Sequence, residues 1–144
     1  MTPAQEAVVA ALHAEYAAIY LYGVVDAYAS PTRRADIAKF AAEHRAQRDA
    51  LQTALGAAGV PVPVAAAAYA PPEPVTDPVS AAKVAAAIED DSAAAYRGVL
   101  SRGDSDGLRH LGVTGLSAAA VRGARWRVAL GVTPVTGPFP GIRS

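Results

Sequence analysis

The chain has 144 residues, a length that suits one domain with a single hydrophobic core. Its 13 lysine and arginine residues balance its 13 aspartate and glutamate residues, so the surplus of positive charge that a nucleic-acid-binding surface needs is missing. The chain contains no cysteine, which excludes disulfides, thiolate metal sites and cysteine nucleophiles.

The first helix is predicted over residues 3–29 from its start signal and its apolar spacing. Thr2 is the expected N-cap, Pro3 takes the first helical position and Gln5 completes a capping box. Apolar residues then recur every three or four positions, which is the period of one helix face. That predicted face comprises Val8, Leu12, Tyr16, Ile19, Tyr20 and Gly23.

The second helix is predicted over residues 31–58. It follows the first almost at once, because Ser30 and Pro31 repeat the signal of a cap followed by proline. A joint this short makes consecutive helices antiparallel neighbours. The predicted buried stripe of this helix comprises Ile37, Phe40, Ala41, His44, Leu51 and Leu55.

The composition changes over residues 59–77, a segment that contains prolines at positions 61, 63, 71, 72 and 74. Such segments favour an extended conformation that rises about 3.1 Å per residue, twice the rise of about 1.5 Å in an α-helix. The segment can therefore run the length of a helix, and we predict a crossover that returns the chain to its starting end. The alternative is a disordered tether between two hairpins. Apolar side chains that could pack favour the crossover, namely Val60, Val62, Val64 and Tyr69.

A third helix is predicted over residues 78–101, where Asp77 and Pro78 supply another start signal. Alanine dominates this helix as it does the other three, which favours helix formation and a close approach between helices. A short turn separates it from the fourth helix. Its predicted buried side comprises Val84, Ile88, Tyr96, Val99 and Leu100.

A fourth helix is predicted over residues 106–130, with Ser105 as its cap. The tail that follows, residues 131–144, is irregular and is expected to lie against the helices because it contains Val135 and Phe139. The predicted inner line of the fourth helix comprises Leu108, Leu111, Gly115, Ala118, Arg122, Trp126 and Ala129. Four helices and no strand signal predict an all-α fold.

Each predicted helix carries one ionisable residue within its apolar stripe, namely Glu15, His44, Glu89 and Arg122. Burying such groups costs several kcal/mol each unless they are paired or bound. An inward Glu15 would be a carboxylate ligand, and the alternative is a glutamate that reaches solvent or an arginine. A buried histidine such as His44 is more often hydrogen-bonded to a carboxylate or carbonyl than bound to a metal.

The partners of these residues are left open by the sequence. Glu43 and Arg48 neighbour His44 on helix 2, and either could take part. Glu89 is the best inward candidate of the acidic run at residues 89–91, and Tyr96, two turns further on, could donate its hydroxyl there. Arg122 could form a fork-to-carboxylate bridge with either the helix 1 or the helix 3 glutamate.

These features resemble the ferritin-like fold, in which two antiparallel hairpins are joined by one long crossover. The nearer resemblance is to alanine-rich ferritin-like domains of unknown function from high-GC actinobacteria, and it covers nearly the whole chain. It implies a single ferritin-like four-helix domain over residues 1–144. The segments that carry it are HAEYAAIYLYG (13–23), AAEHRAQRDAL (41–51), AIEDDSAAAYR (87–97), RWR (125–127) and FPG (139–141).

Members of this superfamily that bind two iron or manganese ions place a Glu on each of two helices and Glu-x-x-His on each of the other two. By that resemblance Glu15 and Glu89 match the two single carboxylates. The rest departs from the pattern, because no glutamate here has a histidine three residues later and Arg122 stands where a ligand is expected. Glu15, His44 and Glu89 are therefore only weak metal candidates. No catalytic or cofactor-binding residue is predicted.

The resulting prediction is a non-catalytic ferritin-like bundle whose degenerate metal centre has become a buried polar network, with no cofactor. The alternative is an iron- or manganese-binding carboxylate oxidoreductase of the same superfamily. A third possibility is a small-ligand pocket lined by Tyr16, Tyr20 and Tyr96. Hydrolase chemistry finds no support, since the chain has no nucleophile motif and no glycine-rich phosphate loop.

The partners and the location are predicted from the apolar faces of the helices, the amino terminus and the balanced charge. The helices are apolar over wider faces than one core needs, which predicts a homodimer. The amino terminus lacks the basic stretch of a secretory signal, and the longest apolar run, residues 60–70, is broken by Pro61 and Pro63. We therefore expect a cytoplasmic protein with no membrane partner and no nucleic-acid partner.

Overall fold

The computed structural model describes residues 1–137 and 139–142, and within these residues it contains four α-helices and no strand. The all-helical prediction is therefore confirmed for the described chain. The predicted tail and the predicted domain span include positions 138, 143 and 144, which lie outside the described residues. The helices are α1 (Pro3–Tyr28), α2 (Arg34–Ala57), α3 (Pro78–Arg102) and α4 (Asp106–Leu130).

Three helices begin with the caps that the sequence predicts. The Thr2 hydroxyl accepts a hydrogen bond from the Gln5 backbone amide at 3.1 Å, and the Gln5 side-chain oxygen accepts one from the Thr2 backbone amide. Asp77 accepts from the Ser80 amide at 2.7 Å in a second capping box. Ser105 accepts from the third residue of α4 at 3.2 Å. These side chains satisfy backbone donors that a helix start leaves unpaired.

The predicted cap of the second helix is wrong. The Ser30 side chain makes no capping hydrogen bond, and its hydroxyl lies 3.0 Å from the hydroxyl of Thr32. The Arg33 amide donates instead to the Ser30 carbonyl at 2.9 Å, which closes a 3-10 turn over Pro31–Arg33. The α-helical part of this segment consequently begins at Arg34, three residues later than predicted.

The core is divided into two apolar clusters. One contains Leu21, Val25, Phe40, Ile88 and Trp126, and the other contains Val8, Leu12, Leu51, Leu55 and Val99. On every helix the predicted ionisable residue lies near the boundary between the two clusters. Glu15, His44, Glu89 and Arg122 thus form a polar layer across the middle of the core.

The close packing of α3 on α4 depends on glycines of α4. A methyl group at Gly112 would lie 2.6 Å from the Leu100 amide nitrogen, and one at Gly115 would lie 2.2 Å from a ring carbon of Tyr96. Neither position has room for a side chain. The predicted inner line is correct for Leu108 and Ala129, which pack against the core clusters, but wrong for Leu111 and Ala118. Gly112, Ala119 and Gly123 are buried in addition.

The buried face of α1 also differs from the prediction. Ile19 is half-buried, Tyr20 is 40% exposed and Gly23 is exposed, whereas Tyr22 and Val25 are buried. The helix is apolar around most of its circumference, so its periodicity gives little contrast between faces. By length and composition alone α1 could cross a membrane, yet half of its most apolar window is buried inside the protein, as in a core helix.

The connector between α2 and α3 contacts the helices along its length. The Tyr16 hydroxyl donates to the Pro63 carbonyl at 2.7 Å. Val60 packs against the cluster that contains Leu12, Val75 packs against the cluster that contains Phe40, and Tyr69 packs against both clusters. The tail contacts α3 and α4 through backbone carbonyls, which accept from Arg97 and Arg127. The expected packing of Phe139 is wrong, since its side chain is 66% exposed.

Candidate functional site

The four ionisable residues predicted from the apolar stripes are all buried. Glu15 and His44 have no exposed surface, and Glu89 and Arg122 are each 1% exposed. The prediction that they face inward is confirmed. Each comes from a different helix, and hydrogen bonds join them into one network.

His44 lies at the centre of the network between two carboxylates. Its Nδ1 is 2.6 Å from Glu15 Oε2, and its Nε2 is 2.9 Å from Glu89 Oε2. An ionised carboxylate only accepts hydrogen bonds, so both ring nitrogens must donate and the ring must carry a positive charge. Burial lowers the pKa of His44, but the hydrogen bonds and negative charges of Glu15 and Glu89 outweigh it and raise the pKa from 6.5 to about 9.

Arg122 binds the other oxygen of Glu89. Its Nε donates to Glu89 Oε1 at 2.9 Å, while its terminal nitrogens donate to Glu43 at 3.1 Å and to Gln47 at 3.3 Å. The sequence left Glu15 and Glu89 open as partners of Arg122, and in the structure the partner is Glu89. Burial lowers the pKa of the guanidinium, but attraction to Glu89 more than compensates and raises it. Arg48 takes no part, because it pairs with Asp49 at the surface.

Two tyrosines complete the hydrogen bonds of the carboxylates. Tyr96 donates to Glu15 Oε1 at 2.7 Å, and Tyr22 donates to Glu89 Oε2. Trp126 in turn donates from its indole nitrogen to the Tyr22 hydroxyl at 3.0 Å. Burial raises the pKa of both tyrosines, and the nearby carboxylate charges raise it further. Both phenols therefore stay protonated and act as donors.

Tyr22 was not among the predicted site residues, and Tyr96 donates to Glu15 instead of Glu89, the partner that the sequence allowed for it. Tyr22 follows Glu15 by seven residues in α1, and Tyr96 follows Glu89 by the same spacing in α3. Seven residues are two turns, so each tyrosine shares a face with its own glutamate. Each hydroxyl nevertheless bonds the glutamate of the other helix. The repeated spacing was the signal that could have revealed Tyr22.

The charges in the network balance. Burial raises the pKa of Glu89, but the hydrogen bond and charge of His44, followed by the charge of Arg122, outweigh it and lower the pKa. The two buried carboxylates thus face one imidazolium and one guanidinium, and the partly exposed Glu43 adds a further carboxylate beside Arg122 at the edge of the layer. All four oxygens of Glu15 and Glu89 accept hydrogen bonds. Among the described residues, the Ser92 hydroxyl is the one buried side-chain polar atom without a partner.

The donor set as arranged does not fit the metal centre that the resemblance implies. A histidine ligand must be neutral and must direct a free nitrogen lone pair at the metal, but both nitrogens of His44 face carboxylates. In the part of the chain that the structure describes, no three His, Asp or Glu side chains are grouped as metal ligands. The weak metal assignment of Glu15, His44 and Glu89 stays a prediction.

The tyrosines expected to line one ligand pocket lie in two places. Tyr16 and Tyr20 line a surface cleft of about 470 Å³ between α1, α2 and the connector. Tyr96 is 1% exposed and belongs to the buried network. The predicted grouping is therefore wrong for Tyr96, because its side chain points into the core, where Glu15 accepts a hydrogen bond from its hydroxyl.

Comparisons with known proteins agree with a fold shared by nearly the whole chain. A family described as a domain of unknown function (DUF4439) matches residues 7–144. The chain is also similar to the crystal structure of a conserved hypothetical protein, rv2844, from Mycobacterium tuberculosis. The two are 36% identical, the match covers 96% of this chain and 97% of that chain, and the TM-score is 0.88. No match was found among curated proteins.

Proposed function

The chain belongs to the DUF4439 family, a domain of unknown function, and on that premise we propose that it is a non-catalytic ferritin-like bundle with a buried ion-pair network in place of a metal centre. The role is proposed from the geometry of the polar layer. The similar crystal structure from Mycobacterium tuberculosis carries a description, conserved hypothetical protein, that names no activity.

The ferritin-like arrangement is supported by the order of contacts along the helices. Tyr22 contacts His44, whereas Tyr16, earlier in α1, contacts Gln52, later in α2. Contacts in opposite order are those of an antiparallel pair. Contacts between α3 and α4 also run in opposite order. Gly112 of α4 faces Leu100 of α3, and Gly123, later in α4, faces Glu89, earlier in α3. The connector contacts both apolar clusters, as a crossover between two such hairpins would.

The observation that carries the proposal is the double hydrogen bond of His44. Its two nitrogens point in opposite directions, and each binds one buried carboxylate. A protonated imidazole therefore lies between Glu15 and Glu89, where the superfamily's carboxylates hold metal. Arg122 supplies a second positive charge to Glu89. Two organic cations neutralise the two carboxylates, and the network stabilises the fold without an ion from outside.

Metal analysis tests the proposal directly. The protein should be produced in medium supplemented with iron and manganese, purified without chelator, and analysed by mass spectrometry of the elements. We expect far less than one metal ion per chain, because binding requires His44 to lose its proton and release a carboxylate. Near-stoichiometric iron or manganese would refute the proposal.

The second candidate is a metal-dependent oxidoreductase that uses Glu15, His44 and Glu89. The convergence of these three side chains in one buried layer favours it. It predicts that iron, manganese or zinc raises the melting temperature, and that Glu15→Ala removes the effect. Glu6→Ala, on the exposed side of α1, is the matched control and should retain it. No shift with any of the three metals in the unmodified protein would count against this candidate.

A further inference from the structure

The surface cleft between α1, α2 and the connector lies apart from the buried network and has the properties of a ligand site. Its volume of about 470 Å³ lies within the range of about 300–1,000 Å³ that is usual for small-molecule sites. Three tyrosines line it, namely Tyr16, Tyr20 and Tyr69. Val64 on the connector adds an apolar side chain that is 86% exposed. Exposed apolar groups concentrated around a concave surface are typical of a binding site.

The walls of the cleft are tied to one another. The Tyr16 hydroxyl accepts from Gln52 of α2 at 2.9 Å and donates to Pro63 of the connector at 2.7 Å. The Tyr69 hydroxyl accepts from the Ala66 amide at 2.9 Å, which fixes the bend of the connector at the rim. One buried phenol therefore links all three elements. A ligand would find the cleft already formed, and little ordering would accompany binding.

The charge inside the cleft is positive. Arg48 lines it, and no acidic side chain among the described residues does. The Nε of Arg48 donates to Asp49 at 2.9 Å, but its two terminal nitrogens make no hydrogen bond to the described protein. The Asp49 side chain is 64% exposed, so this pair is a weak competitor for the guanidinium. The open edge of a guanidinium matches the two oxygens of a carboxylate.

We propose that this cleft binds a small planar aromatic carboxylate. Its ring packs against Tyr20 and Tyr69, whose own rings are 5.9 Å apart and tilted, and its carboxylate binds the terminal nitrogens of Arg48. The tyrosines favour a flat aromatic ring, which they contact edge-on or offset. The same rings would also attract a cation, but the charge of Arg48 opposes one. The sign of the ligand's charge is therefore the property that separates this proposal from its nearest alternative.

The test compares three probes that share one ring system: 2-naphthoate, the neutral 2-naphthalenemethanol and the cationic 2-naphthylmethylamine. Titration calorimetry on the unmodified protein should give a dissociation constant for naphthoate about tenfold lower than for the alcohol, the ratio expected for one charge-assisted hydrogen-bonded pair. The amine should bind most weakly. Equal affinity for naphthoate and the alcohol, tighter binding of the amine, or no naphthoate binding at millimolar concentration would each overturn the proposal.

Two variants locate the site. Arg48→Gln should weaken naphthoate binding about tenfold and leave the alcohol unchanged. Arg45→Gln, an exposed arginine of α2 that does not line the cleft, should change neither. Equal effects of the two variants would overturn the proposal. Amide chemical shift changes outside the cleft upon addition of naphthoate would also overturn it. A dimer mass that Val64→Asp converts to a monomer mass would do the same, because the occupant of the cleft would then be a second copy of the chain.

Discussion

Replacing Gly115 with alanine tests whether the contact between α3 and α4 holds the polar layer in place. The new methyl group would lie 2.2–2.4 Å from three ring carbons of Tyr96, so the ring must move. Overpacking of this kind costs about 1–3 kcal/mol. Losing the hydrogen bond from Tyr96 to the Glu15 carboxylate costs about 1.5–3 kcal/mol more, and the better helix propensity of alanine returns about 1 kcal/mol. The free energy of unfolding should therefore fall by about 1.5–5 kcal/mol.

Denaturation by guanidinium chloride, followed by circular dichroism, measures this loss. Gly23→Ala is the matched control, because Gly23 lies within α1 and a methyl group there meets no atom within 4 Å. That variant should gain about 0.5–1 kcal/mol, so the same substitution should have opposite signs at the two sites. A Gly115→Ala protein as stable as the Gly23→Ala protein would refute the reasoning. The position of the Tyr96 ring would then not depend on the absence of a side chain at Gly115.

Three further predictions concern the charges and the assembly. The pKa of His44 rises from 6.5 to about 9 on folding. The contribution of the charged His44 to the free energy of unfolding should therefore be complete below pH 6.5 and lost as the pH rises through about 9. Urea denaturation should show a loss on the order of 3 kcal/mol across this window, and His44→Gln should abolish it. Arg122→Met should lower the free energy of unfolding by about 3–5 kcal/mol, because it leaves Glu89 buried without its guanidinium partner. Arg125→Met is the control and should lower it little, because the pair of Arg125 with Asp36 is exposed. Equal losses in the two variants would contradict this prediction. The predicted homodimer should give twice the chain mass of 14.6 kDa in light scattering, and a monomeric mass would refute it.

The starts of α1, α3 and α4 were predictable because each is determined by a few neighbouring residues. Thr2 with Gln5 and Asp77 with Pro78 make their capping contacts within the helix that they begin. The start of α2 was not, because Thr32 competes for the side chain of Ser30. A signal that depends on one hydroxyl fails when a neighbouring side chain can bind the same group.

The inward direction of the polar residues was predictable, but their pairing was not. An apolar stripe shows that His44 faces the core, since it shares a helix face with Ile37, Phe40, Leu51 and Leu55. Which carboxylate meets which donor depends on how far each helix is rotated and how closely it approaches the next. Tyr96 reaches Glu15 because Gly115 leaves space for its ring. Nothing local to Tyr96 in the sequence specifies that space.

The hydrogen bond between Trp126 and Tyr22 has a consequence for spectroscopy. Trp126 is the only tryptophan of the chain, so one chromophore dominates the ultraviolet emission of the protein. Its indole nitrogen donates to the phenol that in turn donates to Glu89. Loss of charge on Glu89, or rupture of the bond to Tyr22, changes the electric field at the indole and thus the wavelength and intensity of its fluorescence. The protein carries its own optical reporter of the polar layer and needs no added label.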